Sequence, residues 1–313
     1  MLADNTIDGL ITDPPYGISY QGNEWDKLLP DKEIWDQCLR LLKPGGYGLI
    51  FSSIKLMHRM MVNLEDSGFL IKDVLFWVHL NAMPKNRNIA LDIDKILGVQ
   101  SESIGNYKYV QGYVKGGINS YAAPDGKMIK EATSAKAKQY KGSGTNLKPA
   151  YEPIILIQKP ISCENVAANV ILQGTGALNL EETRIPYAVG ETKVGHNPHP
   201  LGRVASNIIR TDPLNDNYDK FFVVPKVRQN AEEFNHHPTI KPVNLMEHLV
   251  KLISFEGHNI LDPFMGSGST GVSCINLKRF FSGYEIDGQY FTIAEKRLEN
   301  AFNKLQSDLF NSL

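Results

Sequence analysis

The stretch "NILDPFMGSGSTGVSC", from Asn259 to Cys274, limits the possible folds more than any other part of the chain. A short apolar run ends in Asp262, three glycines follow at 266, 268 and 271, and a helical pattern resumes. A strand that feeds a glycine turn and then a helix is the building unit of a parallel α/β sheet. The rest of the chain repeats that rhythm. Ile7–Thr12 reads as a strand and "DKEIWDQCLRLL" as a helix, with Trp35, Cys38, Leu39 and Leu42 on one stripe. Pro44-Gly45-Gly46 is expected to stop that helix before the strand "YGLIFSS". A second helix, the strand "FLIKDVLFWVHL", the β-rich "EPIILIQKP", the helix "KPVNLMEHLVKLIS" and the strand "RFFSGYEI" follow, with a last helix over 290–305. Regularity fades over 81–149, which reads as a loop-rich excursion, and again over 161–235.

Gly266-x-Gly268-x-x-Gly271 read alone fits a dinucleotide fingerprint. Glu285 lies 285 − 266 = 19 residues on, where an acid can bind ribose hydroxyls. Two features argue against a dinucleotide. Asp262-Pro263-Phe264-Met265 separate the strand from the glycines, and only one clear strand follows the loop. A nucleoside without a pyrophosphate suits it better. S-adenosylmethionine fits, with adenosine on Glu285 and the methionine moiety near the glycines and Asp262.

A second motif, Asp13-Pro14-Pro15-Tyr16, closes the first strand. A strand-ending turn explains the prolines, which block ladder pairing, but not the flanking Asp and Tyr. An exocyclic amine on a nucleobase is a poor nucleophile because its lone pair is delocalised into the ring. It improves when two acceptors hold its N–H groups. The Asp13 carboxylate can take one and the Pro14 carbonyl the other, with rigid prolines fixing their directions. Tyr16 offers a ring face for an unstacked base. No Pro-Cys nucleophile of the kind used in cytosine C5 chemistry is present.

Together these segments resemble the S-adenosylmethionine-dependent DNA amino-methyltransferases. Asp13–Tyr16 is similar to their catalytic motif and "DPFMGSGSTG" to their cofactor motif. "HPTIKP", with Thr239 and Lys241, is similar to the segment that covers the methionine end of the cofactor. Catalytic motif first and cofactor motif last is the β-class order. "MPKNRNIALDIDK", "GTNLKPAYEPIILIQKP" and "GTGALNLEETRIP" resemble phage and prophage members. The resemblance implies a Rossmann-like methyltransferase fold, a seven-stranded mostly parallel sheet with helices on both faces. It implies a catalytic half over 1–160, an inserted target-recognition region over 161–236 and a cofactor-binding half over 237–313. It implies catalytic roles for Asp13, Pro14, Pro15 and Tyr16. It implies cofactor contacts from Thr239, Lys241, Asp262, Pro263, Phe264, Gly266, Gly268, Ser269 and Glu285. Asp rather than Ser at the first motif position points to adenine N6 over cytosine N4. Members commonly carry a strand with a Gly-Asp acid and a helix before the catalytic strand. Here that strand begins at residue 7, so the expectation is an upstream start or an incomplete cofactor pocket.

Charge and composition set the remaining expectations. Net charge is −1, yet six lysines (127, 130, 136, 138, 141, 148) face one acid, Glu131, over 127–148, a stretch suited to phosphates or to a solvated loop. Arg184, Lys193, Arg203, Arg210, Lys226 and Arg228 fall in or beside the recognition region. Cys38, Cys163 and Cys274 are odd in number and far apart, so a disulfide framework and a zinc knuckle are not expected and the cytoplasm is the default. His236-His237 and His196/His199 lack a fourth ligand set, so no metal is expected. No apolar run is long enough for a membrane span and no signal peptide is visible. Double-stranded DNA is the expected partner of a monomer or homodimer. Methylation of RNA or protein, and a DNA-binding relative without activity, are the competing readings.

Overall fold

A computed structural model of the chain describes residues 2–18, 24–79, 86–106, 128–147, 149–187, 198–210, 222–224, 234–235, 237 and 239–311. It divides into a larger unit, residues 1–78 and 151–313, and a smaller one, residues 79–150.

The larger unit is built on one sheet. In chain order its elements are β1 (Ile7–Thr12), α1 (Lys32–Leu41), β2 (Leu42–Phe51), α2 (Met57–Asp66) and β3 (Leu70–Val78). The smaller unit then supplies α3 (Ile89–Ile96), β4 (Glu102–Asn106), β5 (Met128–Glu131) and α4 (Ala135–Lys138). The larger unit resumes with β6 (Tyr151–Gln158), α5 (Val166–Gln173), β7 (Ile208–Arg210), β8 (Phe222–Val223) and α6 (Val243–Ile253). It ends with β9 (Asn259–Asp262), α7 (Ser269–Asn276), β10 (Phe280–Gly283) and α8 (Gly288–Asn311). Strand order is β10-β9-β1-β2-β6-β3-β7-β8. Among the described residues of this sheet, only β6 runs antiparallel to its neighbours, pairing β2 on one side and β3 on the other. The expected seven strands are joined by the two-residue β8, parallel to β7 at the edge.

Both faces of the sheet are covered, and the strand period of two sorts side chains between them. On one face Leu10, Ile50, Ile155 and Ile157 meet Trp35, Cys38 and Leu41 of α1 and Met60 and Leu64 of α2. On the other Ile11, Leu49, Phe51, Ile154 and Leu156 meet Leu245, Met246, Leu249 and Ile253 of α6. Each such aliphatic side chain contributes roughly 1.5–3 kcal/mol on burial. Trp77 of β3 is buried, 2% exposed.

The helix expected to run to Pro44-Gly45-Gly46 ends at Leu41, and β2 runs through those residues. Leu42 already has an extended ψ of 137° and pairs with Ile7 of β1. Pro44 also biases Lys43 away from helix, so pairing with β1 takes over one turn early. The register shift between Ile7 and Gly9 absorbs the surplus residues. The last helix begins earlier than expected, at Gly288, because Asp287 Oδ1 accepts the N–H groups of Gln289 (2.8 Å) and Tyr290 (3.2 Å).

The excursion of 79–150 is not loop throughout. In its described residues Asp94 of α3 is buried and accepts from the Thr133 N–H (2.7 Å), the Ser134 N–H (3.3 Å) and the Ser134 hydroxyl (2.6 Å). These bonds hold the carboxyl below its usual range, the Ser134 hydroxyl most. Of the lysine-rich stretch, Lys141 pairs with Glu131, while Lys127 and Lys148 lie outside the described residues. Described parts of 161–236 supply α5, β7 and β8 to the larger unit.

Candidate active site

β1 and β9 lie side by side and parallel, so the residues that follow Thr12 and Asp262 emerge at the same sheet edge. Ligand sites of open α/β sheets form at such carboxyl ends. After Thr12 comes Asp13, half-buried, then buried Pro14 and half-buried Pro15 and Tyr16. The Tyr16 N–H donates to Asp26 Oδ1 at 2.5 Å, which pins the turn from behind. The Tyr16 hydroxyl donates to Asp13 Oδ1 at 2.6 Å. The Lys241 ammonium donates to Asp13 Oδ2 and lies 3.7 Å from Glu152 Oε2. No hydrogen bond reaches the Pro14 carbonyl among the described residues.

Two charges shape this cluster. Lys241 is only 9% exposed, with its ammonium 4.8 Å from the Phe51 ring centre and 5.8 Å from that of Tyr16. Burial works against the ammonium, but the carboxylates of Asp13 and Glu152 overcome it and hold its pKa above the ordinary lysine value. Burial, then the charges of Asp13 and Glu152, push the Tyr16 phenol well above its usual range, so it stays a donor.

Asp262, expected beside the cofactor, spends its carboxylate on the protein. Oδ1 accepts from the Thr12 hydroxyl (2.7 Å) and the Phe264 N–H (3.1 Å), and Oδ2 from the Thr270 hydroxyl (2.6 Å). It is 2% exposed, and burial raises its pKa to about 6 against the opposing hydroxyl bonds. These bonds clasp β1 to the glycine loop. Pro263 and Phe264 are half-buried, and the Phe264 ring is tilted against Trp35 with centroids 6.3 Å apart.

The loop itself is shaped as the glycine spacing implies. Gly266 has φ +51°, and a Cβ there would stand 2.9 Å from His237 Nε2. Gly268 has φ +79°, and a Cβ would meet the Ala294 Cβ at 3.1 Å. Both positions exclude ordinary side chains on conformational and steric grounds. From beneath, Arg297 donates to the Ser267 carbonyl (2.5 Å) and to the Ser269 hydroxyl (3.2 Å). Glu285 Oε2 accepts the Gly266 N–H at 2.9 Å and Oε1 the Asp287 N–H at 2.8 Å. Each carboxylate oxygen keeps a further acceptor site for a hydroxyl. Next to it Ile286 is 99% exposed, an apolar surface beside an acid. An acid for ribose hydroxyls, an adjacent apolar side chain and a backbone kept bare by glycine fit a nucleoside cofactor.

The segment before α6 divides between the two motifs. The Thr239 N–H donates to His237 Nδ1 (3.3 Å), and the His237 ring meets Tyr290 edge-on at 4.5 Å. Burial pushes His237 down to about 4, so it is neutral at pH 7. Lys241 instead reaches the Asp13 side. Thr12, Glu152, Ile286 and Arg297 do not stand out in the sequence, whereas His237 opens the "HPTIKP" segment. Glu152 alone carried a local signal, an acid at the start of the otherwise apolar "YEPIILIQ". Arg184 lies on Glu181 (2.7 Å) and Arg203 over the Tyr187 ring (4.8 Å), while Lys193, Lys226 and Arg228 lie outside the described residues. Among the described residues no cluster suited to a metal occurs, and no helix is long and apolar enough to cross a membrane.

Comparison with known proteins identifies the family. Type II methyltransferase M.HindIII of Haemophilus influenzae is 26% identical over 95% of this chain and 90% of its own length. DNA adenine methyltransferase YhdJ of Escherichia coli is 24% identical over 95% of this chain and 77% of its own. The solved PvuII DNA methyltransferase, described as cytosine-N4-specific, superposes with a TM-score of 0.51 at 11% identity, over 97% of this chain and 86% of that one. That last likeness is one of fold. A family model described as DNA methylase matches residues 7–296, from the first residue of β1 into α8, and this chain belongs to that family.

Proposed function

We propose that this DNA methylase transfers a methyl group from S-adenosylmethionine to the N6 amine of adenine in double-stranded DNA. The observation that carries the reading is the Thr12–Asp262 bond, which sets the Asp13 motif directly beside the glycine loop. The target amine and the methyl donor must meet within van der Waals distance, and this clasp puts their two motifs on adjacent strand ends. When bound, the cofactor supplies an electrophilic methyl: the C–S bond breaks as the C–N bond forms, the electron pair stays on sulfur, and the amine sheds one proton.

The chain's own residues do the rest. Asp13 and the Pro14 carbonyl accept the two amine N–H groups and free the nitrogen lone pair for attack. The Tyr16 ring packs on the extruded base, whose flipping costs a few kcal/mol. Glu285 holds the ribose, and the Gly266–Gly268 turn lets the methionine end approach the backbone. Asp at the first motif position supports adenine. Cytosine N4 offers the same amine geometry and is the competing outcome. Residues 161–236 act as the target-recognition region between the catalytic half, 1–160, and the cofactor half, 237–313, a division that rests on the resemblance of the motif order.

Expression in a methylation-free host, followed by mapping of modified bases across its genome, tests the reading. N6-methyladenine at a defined site is expected, and N4-methylcytosine or no mark overturns it. Asp13→Ala should abolish the mark. Wild-type methylation by that variant would remove Asp13 from the chemistry.

A further inference from the structure

Lys241 reaches Asp13 from 228 residues along the chain, out of the segment that leads into α6. The motif resemblance assigned it to the methionine end of the cofactor. Its contacts are with the Asp13 motif: it is buried against Asp13 and Glu152 and over the rings of Phe51 and Tyr16.

Three consequences follow from that placement. First, Asp13 is held at both oxygens, by the Tyr16 hydroxyl on Oδ1 and the Lys241 ammonium on Oδ2. A carboxylate at the end of a strand would otherwise sample its broad terminal torsion. Each oxygen still has an acceptor site left for an amine. Second, the groups that face this centre come from every element around it. Tyr16 and Asp26 lie after β1, Glu152 on β6, His237 and Lys241 before α6, and Asp262 at the end of β9. With His237 neutral, Lys241 is the cation among these groups. Third, Asp13 and Lys241 alone would cancel. Glu152 leaves the trio with one net negative charge, facing a nitrogen that becomes positive as the C–N bond forms.

We propose that Lys241 and Glu152 are positioning residues for the methyl transfer: Lys241 locks the orientation of Asp13, and Glu152 restores the negative charge that Lys241 neutralises. This rests on Asp13 being the amine acceptor. A preorganised charge aimed at the developing cation stabilises the transition state more than the ground state.

The full-length chain, a DNA duplex carrying its mapped site and S-adenosylmethionine provide the test. Single-turnover rates are measured against pH, and cofactor Kd by calorimetry. Lys241→Met is expected to lower the rate about 100-fold. Its acid limb should move to higher pH, because loss of a neighbouring cation disfavours an ionised carboxylate. Glu152→Gln should lower the rate about tenfold and move the acid limb the other way, since an anion has been removed. Lys241→Arg should recover at least about tenfold over Lys241→Met, and cofactor Kd should stay within about threefold throughout. A pH profile unmoved in both variants overturns the proposal. So does a Lys241→Met variant whose cofactor Kd rises by the factor its rate falls, which would return Lys241 to the cofactor. If Lys241→Met does not fold, Glu152→Gln decides alone, and an unmoved acid limb overturns the proposal. Wild-type activity in Asp13→Ala sinks the parent reading. An inactive Asp13→Ala beside a fully active Lys241→Met sinks only this one.

Discussion

The Thr12 hydroxyl donates to Asp262 Oδ1 at 2.7 Å, joining residues 250 apart in sequence at the ends of two adjacent parallel strands. One buried hydrogen bond thus couples the strand that leads into the Asp-Pro-Pro-Tyr turn to the strand that leads into the glycine loop.

Thr12→Val keeps the shape of that side chain and removes its donor. The buried Asp262 oxygen then keeps only the Phe264 N–H. Leaving a buried acceptor short of a partner costs about 1–3 kcal/mol. Urea unfolding should show that loss, with Thr12→Ser close to wild type. An unchanged midpoint for Thr12→Val would mean the clasp carries no strength.

Asp262 also predicts a pH dependence of stability. Its pKa is raised to about 6 by burial, whereas a carboxyl in the unfolded chain titrates near 4. The native state therefore keeps a proton that the unfolded state loses. Its contribution is complete below about pH 4 and is lost as pH rises through about 6. His237 and His248, both pushed down to about 4 by burial, act oppositely: their contribution is complete above about 6.5 and is lost as pH falls through about 4. Subtracting the Asp262→Asn unfolding curve from wild type isolates the first effect. The difference should shrink between pH 4 and 6, and parallel curves would remove burial as the cause.

The glycine loop offers two graded substitutions. Gly266→Ala must adopt a positive φ and displace the His237 ring, so cofactor Kd should rise at least about tenfold. Gly268→Ala meets Ala294, and Ala294→Gly in the same chain should relieve the contact while the φ penalty of about 1–2 kcal/mol persists. Calorimetric titration with S-adenosylmethionine and thermal unfolding read the two effects separately. Full rescue by Ala294→Gly would show that sterics alone select glycine at 268.

Tyr16 is expected to act twice, through its ring and its hydroxyl. Tyr16→Phe keeps the ring and removes the bond to Asp13, and the methylation rate should fall by roughly 10–150-fold, the worth of a hydrogen bond to a charged group. Tyr16→Ala also removes the stacking face and should fall about a further tenfold. Equal rates for Phe and Ala would leave the ring without a role.

Most elements were legible because each carries its own pattern. The short β1 run before the Asp-Pro-Pro-Tyr turn, the Leu245–Leu249–Leu252 stripe of α6 and the strand–glycine–helix of β9 to α7 need no partner to be recognised. The boundary of α1 differs from the pattern because pairing of Leu42 with β1 ends the helix before Pro-Gly-Gly is reached. In 79–150, Asp94 organises a small unit through residues about 40 positions away, a distance at which periodicity is silent.

The site divides along the same line. Sequence alone determined which chemistries are present: a rigid Asp-Pro-Pro-Tyr turn, a glycine loop and an acid 19 residues beyond it. Tertiary structure alone decided which groups face one another. Strand order puts β1 between β9 and β2, with β6 antiparallel beside β2. Asp262 therefore meets Thr12, and Lys241 closes on both Asp13 and Glu152. A side chain's donors and acceptors are written in its own residue type, but a buried donor pairs with whatever acceptor the packing of distant strands brings within 3 Å.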